Sequence, residues 1–205
     1  MTINTEHSFI TADHHLGETR MTILQRPFSG PLENAEVMLQ NHNSLVSPDD
    51  LVYFIGDVLC KDADPNIWLP WIKKFNGRKI LLRGNHERNL TDSQLLEFFQ
   101  EIIPEGKGLH RTFEGIDCFL NHYPTEGLPD KFNIVGHIHG AWKVQLNSFN
   151  AGVDVNHFRP VPTSSIPFYL KAITEFFDND VWVAYNEINS SWRYKRGKKG
   201  RYLKG

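Results

Sequence analysis

Three short apolar runs punctuate the first half of the chain, and each ends in a polar cluster. Ser8-Phe9-Ile10-Thr11-Ala12 reads as a buried strand with Asp13 at its end. Leu51 to Ile55 is a second, leading into Gly56-Asp57, and Lys79 to Leu82 a third, leading into Gly84-Asn85-His86-Glu87. Helical patterns lie between and after them. Glu33 to Val46 has helical composition and stops before Pro48. Asp64-Pro65 is an N-cap followed by proline at the first helical position, and Ile67, Trp68, Trp71, Ile72 and Phe75 form an apolar stripe that Asn76-Gly77 ends. Thr91-Asp92-Ser93 caps a further helix from about Gln94 to Ile102. Strand, helix and strand in succession predict parallel βαβ units.

After Gly106 the rhythm shortens. Leu109 to Phe113, Cys118 to Leu120 and Phe132 to Val135 read as strands of a second sheet, with Glu114-Gly115-Ile116-Asp117 turning a hairpin. Phe168 to Phe177 fits a last helix and Val181 to Ile188 a last strand. The connection from Gly17 to Pro31, with Arg20 and Arg26, is longer than most loops in compact domains and is marked as functional.

With 205 residues, 40% of them hydrophobic, the chain has material for one domain with a substantial core, expected over residues 1–190. Residues 191–205 carry seven Lys or Arg and no acid, so 15 basic residues face 24 acidic ones in the body, a net −9. This tail mixes its charges with Trp192, Tyr194 and Tyr202. That combination allows single-stranded nucleic acid to be bound by phosphate neutralisation and base stacking, and a solvated tail is the competing reading. The N-terminus lacks a basic and apolar leader, and no run approaches 18 apolar residues, so a soluble, cytoplasmic protein without membrane contact is expected. Cys60 and Cys118 show no C-x-x-C spacing, which argues for free thiols and against a thiolate zinc site. The oligomeric state is not legible.

The candidate chemistry sits in five clusters: Asp13-His14-His15, Gly56-Asp57, Gly84-Asn85-His86-Glu87, Asn121-His122-Tyr123-Pro124 and Gly136-His137-Ile138-His139. Each follows an apolar run, and the ends of strands are where open α/β sheets hold ligands. Imidazole nitrogens with carboxylate or amide oxygens suit borderline divalent ions. In order and content the clusters resemble the calcineurin-like metallophosphoesterases, whose motifs run D-x-H, G-D, G-N-H-D/E, a lone His and G-H-x-H. The resemblance implies an α/β fold, a four-layer α/β/β/α sandwich of two mixed sheets flanked by helices. It assigns Asp13, His15, Asp57 and His139 to one ion and Asp57, Asn85, His122 and His137 to a second, with Asp57 bridging. It makes His86 the general acid beside a metal-activated hydroxide. Two divalent ions are implied, manganese favoured, with iron, nickel, zinc or magnesium as alternatives.

Arg26-Pro27-Phe28 and His122-Tyr123-Pro124 are similar to elements of the small bacterial and phage phosphoesterases of this family. That likeness implies a small phosphate-ester substrate, a nucleotide-like phosphodiester or phosphomonoester. The alternatives are pyrophosphate hydrolysis on a nucleotide sugar or lipid precursor, or a scaffold without catalysis. Protein phosphatases of the superfamily continue the second cluster as G-D-x-V-D-R-G, whereas this chain reads Gly56-Asp57-Val58-Leu59-Cys60-Lys61-Asp62. A protein phosphatase is therefore not expected, and His86 lacks the usual orienting Asp, with Asp62 and Glu87 near in sequence. Arg20 and Arg26 are the candidates for binding substrate phosphate, since a guanidinium takes two phosphate oxygens at once. His14 either contacts substrate or points away along the strand alternation. His7, His42, His110 and His157 are expected to be ordinary surface or packing residues.

Overall fold

The computed structural model of the protein describes residues 7–175. Strands β1 (Ser8–Thr11), β2 (Leu51–Ile55) and β3 (Arg78–Leu82) lie parallel, with Ile10 opposite Tyr53 and Tyr53 opposite Ile80. Their sequences are nearly continuous apolar runs because both faces are covered. One face presents Phe9, Val52, Phe54 and Leu81 to helices α1 (Pro31–Asn43) and α2 (Pro65–Ile72) and to Phe75, Leu95 and Phe99. The other presents Ile10, Ala12, Tyr53, Ile55, Ile80 and Leu82 to the second sheet.

The short helix α3 (Asp92–Leu95) is followed by β4 (Glu101–Ile103), which extends the first sheet parallel to β3. The helix expected from Gln94 to Ile102 is thus mostly absent. Thr91 does cap its start, but Phe98, Phe99 and Ile102 enter the helix-side core, and the backbone of 101–103 satisfies the open edge of β3 instead. Helix α2 begins as expected, with Asp64 accepting from the Asn66 amide, but gives way to turns at Lys73, two residues before Phe75, which stays buried.

The second sheet follows the order β5 (Leu109–Phe113), β6 (Ile116–Asn121), β7 (Phe132–Val135), β9 (Ser148–Asn150), β8 (Val144–Gln145). Strand β10 (Val161–Pro162) closes the first sheet antiparallel to β1. Each sheet therefore mixes parallel and antiparallel pairs. Phe113, Leu120, Ile134 and Phe149 fill the space between the sheets, and helix α4 (Ile166–Glu175) adds Ile166 and Ile173 to that core. The two mixed sheets with flanking helices are those expected. Strands β8, β9 and β10, of two or three residues, are too short to show a periodic pattern. The expected strand over 181–188 and the basic tail lie outside the described residues. No helix among the described residues is long and apolar enough to cross a membrane.

Because β1, β2 and β3 run parallel, their carboxyl ends share one edge. In the second sheet β6 and β7 are parallel too, and their ends meet that edge from the opposite side. The amide of Asp13 donates to the Gly56 carbonyl, that of Gly136 to His122, and Ala12 bridges to Gly152. All five polar clusters thereby arrive in one place.

Candidate metal centre

The Asp57 carboxylate is the hub. Its Oδ2 lies 3.3 Å from His122 Nε2, 3.6 Å from His15 Nε2 and 3.8 Å from His86 Nε2. Two groups have donor atoms close enough to share an ion, His15 with Asp57 and His86, and Asp57 with His122 and His137. Asn85 Oδ1 sits 3.3 Å from His122 Nε2, and His137 Nδ1 lies 3.2 Å from the same nitrogen. Both Asp13 carboxylate oxygens accept from the His137 amide, and the His139 ring lies tilted against that of His15, 4.7 Å between centroids. The structure thus brings Asp13, His15, Asp57, Asn85, His86, His122, His137 and His139 together.

Five of these residues adopt left-handed backbone: Asp13 (φ 59°), His15 (49°), Asp57 (53°), His137 (75°) and His139 (46°). Such conformations persist only where the surroundings enforce them. Here the buried Glu87 carboxylate takes the amides of Asp57, Val58 and Gly84, at 3.0, 2.7 and 2.9 Å, which locks the ends of β2 and β3 together. His15 donates its amide to Asp57, and Asn150 Nδ2 donates to the carbonyls of His139 and Trp142. Glu87 does not touch the His86 ring in this arrangement. Instead the Lys61 amide points at His86 Nδ1, 2.9 Å away, which favours the proton on Nε2, the nitrogen that faces Asp57.

Electrostatics follow from burial and crowding. Burial raises the Asp13 carboxyl to about 6, against the pull of His122 and His139. Burial would also raise Asp57, but its hydrogen bond to His122 and the surrounding imidazoles hold it below the usual carboxylate range. The His122 ring is disfavoured as a cation by burial, yet Asp57 and Asp13 outweigh this and lift it to about 9. His15 falls well below its ordinary value through burial. Burial lowers His86 as well, against Asp57 and the Leu59 carbonyl.

These residues fit divalent ions on chemical grounds. Neither ring nitrogen of the buried His15 has a hydrogen-bond partner, a costly state unless an ion takes one of them. His122 Nδ1 is held by the Ile55 carbonyl and His139 Nδ1 by Asp154 Oδ2, 2.9 and 2.8 Å away, which leaves each Nε2 free to ligate. The donors are nitrogen and oxygen, and both cysteines are free and buried elsewhere, Cys60 against Glu18.

Arg26 departs from its expected role. Its side chain is fully buried, and all five N–H donors are used internally, on both Asp154 oxygens, the carbonyls of Asp13 and His14, and Asn34 Oδ1. It has none left for substrate phosphate. Arg20 is half-exposed and is gripped by the buried Glu18 through Nε and Nη2, at 2.9 Å each, with Nη1 unbonded among the described residues. His14 points away from the cluster and packs on Phe54 and Phe75. Sequence alone assigns Asp154 no role, although it ends the segment Ser148 to Asp154, which resembles the N-x-G stretch that follows the last histidines in the calcineurin-like phosphoesterases. Beside Gly84 lies a cleft of ≈ 480 Å³ lined by Arg83, Arg88, Leu90, Asp92, Pro104 and Glu105.

The α/β sandwich delivers imidazoles, carboxylates and an amide to the shared edge of two sheets, a donor set of the kind that holds divalent ions. The sequence profile of the calcineurin-like phosphoesterases matches residues 8–199, and the chain belongs to that family of metal-dependent phosphoester hydrolases. It is 23% identical over 164 residues to uncharacterized protein MJ1445 of Methanocaldococcus jannaschii, covering 75% of this chain and 85% of the other. It is 29% identical over 82 residues to the gene 66 protein of mycobacterium phage L5, 40% of each chain. Among solved structures, a protein of unknown function from Aquifex aeolicus, AQ665, superposes with a TM-score of 0.62 at 25% identity, over 79% of this chain and 98% of that one.

Proposed function

We propose that the protein is a dinuclear phosphoesterase that hydrolyses a small, nucleotide-like phosphodiester or phosphomonoester. The observation that carries the reading is the placement of three imidazole Nε2 atoms within 3.3 to 3.8 Å of one carboxylate oxygen, Asp57 Oδ2. In this reading Asp13, His15, Asp57 and His139 hold one ion, and Asp57, Asn85, His122 and His137 the other. A donor set of imidazole, carboxylate and amide admits Mn, Fe, Ni or Zn, and manganese is the ion this reading favours among them. When bound, such ions generate a nucleophile from water near neutral pH and neutralise charge on a transferring phosphoryl group. His86, with Nε2 toward the site, donates the proton to the departing oxygen. Arg20, held by Glu18 with Nη1 free, is the candidate for an outer phosphate oxygen.

The test is hydrolysis of bis-p-nitrophenyl phosphate and p-nitrophenyl phosphate by metal-stripped protein reloaded with Mn, Ni, Zn, Mg or Fe. Activity is expected to disappear with stripping and to return best with Mn. Full activity in excess chelator, after time for slow metal loss, overturns the reading. His86→Ala should keep both ions and slow hydrolysis by about 10²–10⁴-fold for a poor leaving group. The deficit should shrink as the leaving group's acidity rises. A loss of equal size across a matched ester series would make His86 a phosphate-binding residue instead.

A further inference from the structure

Arg26 and Asp154 lie 128 residues apart in the chain, and both are buried beside the candidate ligands without belonging to them. Arg26 grips Asp154 with two parallel bonds, Nε to Oδ1 at 2.8 Å and Nη2 to Oδ2 at 3.0 Å. Such a bidentate pair fixes the plane of the carboxylate as well as its charge. Asp154 Oδ2 in turn sits 2.8 Å from His139 Nδ1. An ionised carboxylate only accepts hydrogen bonds, so the proton must reside on Nδ1, and the lone pair of Nε2 is turned toward the cluster.

The other donors of Arg26 reach the opposite wall of the same half-site. Nη2 bonds the Asp13 carbonyl at 2.6 Å and Nη1 the His14 carbonyl at 2.7 Å. Those two peptide units lie between the left-handed Asp13 and His15, whose side chains aim at the cluster. The segment that carries Asp154 is itself tied to β1, since the Val153 amide donates to the Ala12 carbonyl. Arg26 therefore contacts, directly or through one intermediary, the chain at Asp13, His15 and His139. Among the described residues it makes no hydrogen bond to Asn85, His122 or His137, and its one link to them runs through Asp13, whose carboxylate takes the His137 amide.

We infer that Arg26 and Asp154 are positioning residues chiefly for one ion, the one assigned to Asp13, His15, Asp57 and His139, and that the second ion, linked to them only through the Asp13 carboxylate on the His137 amide, depends on them far less. The inference rests on the two-ion reading above and adds an asymmetry to it. Breaking the pair unlatches His139 and loosens the backbone between Asp13 and His15, while the partners of the other ion keep their support from Ile55 and Glu87.

The test uses full-length protein, stripped and titrated with Mn(II), comparing wild type with Asp154→Asn and Arg26→Lys. Asparagine offers His139 or Arg26 an acceptor but cannot serve both as the carboxylate does, and it leaves the buried guanidinium without its counter-charge. Wild type should bind two ions and show the electron paramagnetic resonance of a coupled Mn pair. Each variant should weaken one ion by about 10–100-fold, the range for outer partners of metal ligands. At concentrations that saturate wild type it should retain one ion and show the spectrum of an isolated Mn. In the metal-free protein, ¹⁵N chemical shifts of the His139 ring should report a proton on Nδ1 in wild type and a shift toward Nε2 in Asp154→Asn, which a merely structural role would not produce. Two ions bound with wild-type affinities in Asp154→Asn overturn the inference and leave the two-ion reading standing, as does parallel loss of both ions. Fewer than two ions in wild type overturns both. If Arg26→Lys does not fold, Asp154→Asn alone decides.

Discussion

Gly84 offers a way to crowd the centre from a backbone position that any residue can adopt. Its φ of −96° suits any residue, so Gly84→Ala introduces no conformational strain, only a methyl group. That Cβ would stand 2.3 Å from Asp57 Oδ1 and 2.8 Å from both the Asp57 amide and His122 Nε2, where ordinary contact begins at 3.4 Å. The carboxylate must retreat by about 1 Å, whereas metal–ligand distances tolerate only about 0.2 Å. Asp57 Oδ1 also accepts the His86 amide at 2.9 Å, so the displacement reaches His86 as well. A misplacement of about 1 Å is worth roughly 10²-fold in rate, and overpacking costs about 1–3 kcal/mol of stability. For a chain of this size that corresponds to roughly 2–12 °C in melting temperature. The assay is hydrolysis of bis-p-nitrophenyl phosphate with saturating Mn, alongside metal analysis and thermal unfolding. Gly30→Ala is the control, because a Cβ there meets nothing within 4 Å, and it should change neither rate nor melting temperature. Activity of Gly84→Ala within about twofold of wild type, with ions fully bound, would show that the space between Gly84 and Asp57 is not what the site depends on.

Four further outcomes follow from the same geometry. Asp57→Ala should deplete both ions together in metal analysis, and one ion retained at full occupancy would contradict a bridging carboxylate. Metal uptake should strengthen with pH. The His122 proton, held up to about pH 9, must leave before that nitrogen ligates, so affinity should rise by about tenfold per unit below 9, and more steeply below about 6 where Asp13 is protonated too. Calorimetric titration in buffers of different ionisation enthalpy counts the released protons, and an affinity that is flat from pH 6 to 8 would refute the linkage. In the metal-free protein, the raised His122 value contributes stability that is complete below 6.5 and lost as pH passes about 9. Glu87→Gln sets an amide against three backbone N–H groups that a carboxylate accepts, and should cost about 1–3 kcal/mol in chemical denaturation. Unchanged stability would mean that the loops hold without it.

What the sequence made legible, and what it hid, divides along a physical line. Leu51 to Ile55 was readable as a strand because a strand covered on both faces is apolar throughout, and Asp64-Pro65 as a helix start because a cap is a local bond. The convergence of five clusters was readable because parallel strands put their ends on one edge. Strand β4 was not, since Phe98 to Ile103 has helical spacing and only the open edge of β3 decides otherwise. Arg26 was misread for a related reason. A lone guanidinium in a polar loop argues for solvent or substrate, and nothing nearby announces an aspartate 128 residues away and two strained carbonyls waiting for its donors. Long-range polar pairs leave no periodic trace.

The left-handed residues explain why so many polar bonds surround the centre. Glycine would adopt these conformations without penalty but has no side chain to offer, so Asp13, His15, Asp57, His137 and His139 adopt them instead. Aspartate and histidine tolerate this region better than most residues, and even at the low end of about 1 kcal/mol each, five of them total about 5 kcal/mol. That is the scale of a domain's whole net stability. The strain persists because separate devices clamp the chain. Glu87 takes the Asp57 amide, Arg26 takes the Asp13 and His14 carbonyls, Asp13 takes the His137 amide, and Asn150 takes the His139 carbonyl. Each clamp is buried, and each joins segments distant in sequence. The fold thus holds the donor atoms at their stations by hydrogen bonds made to the backbone on either side of them. That leaves both nitrogens of His15 and the Nε2 of His139 available for ligation, while the Asp13 carboxylate and Asp57 Oδ1 hold backbone amides as well.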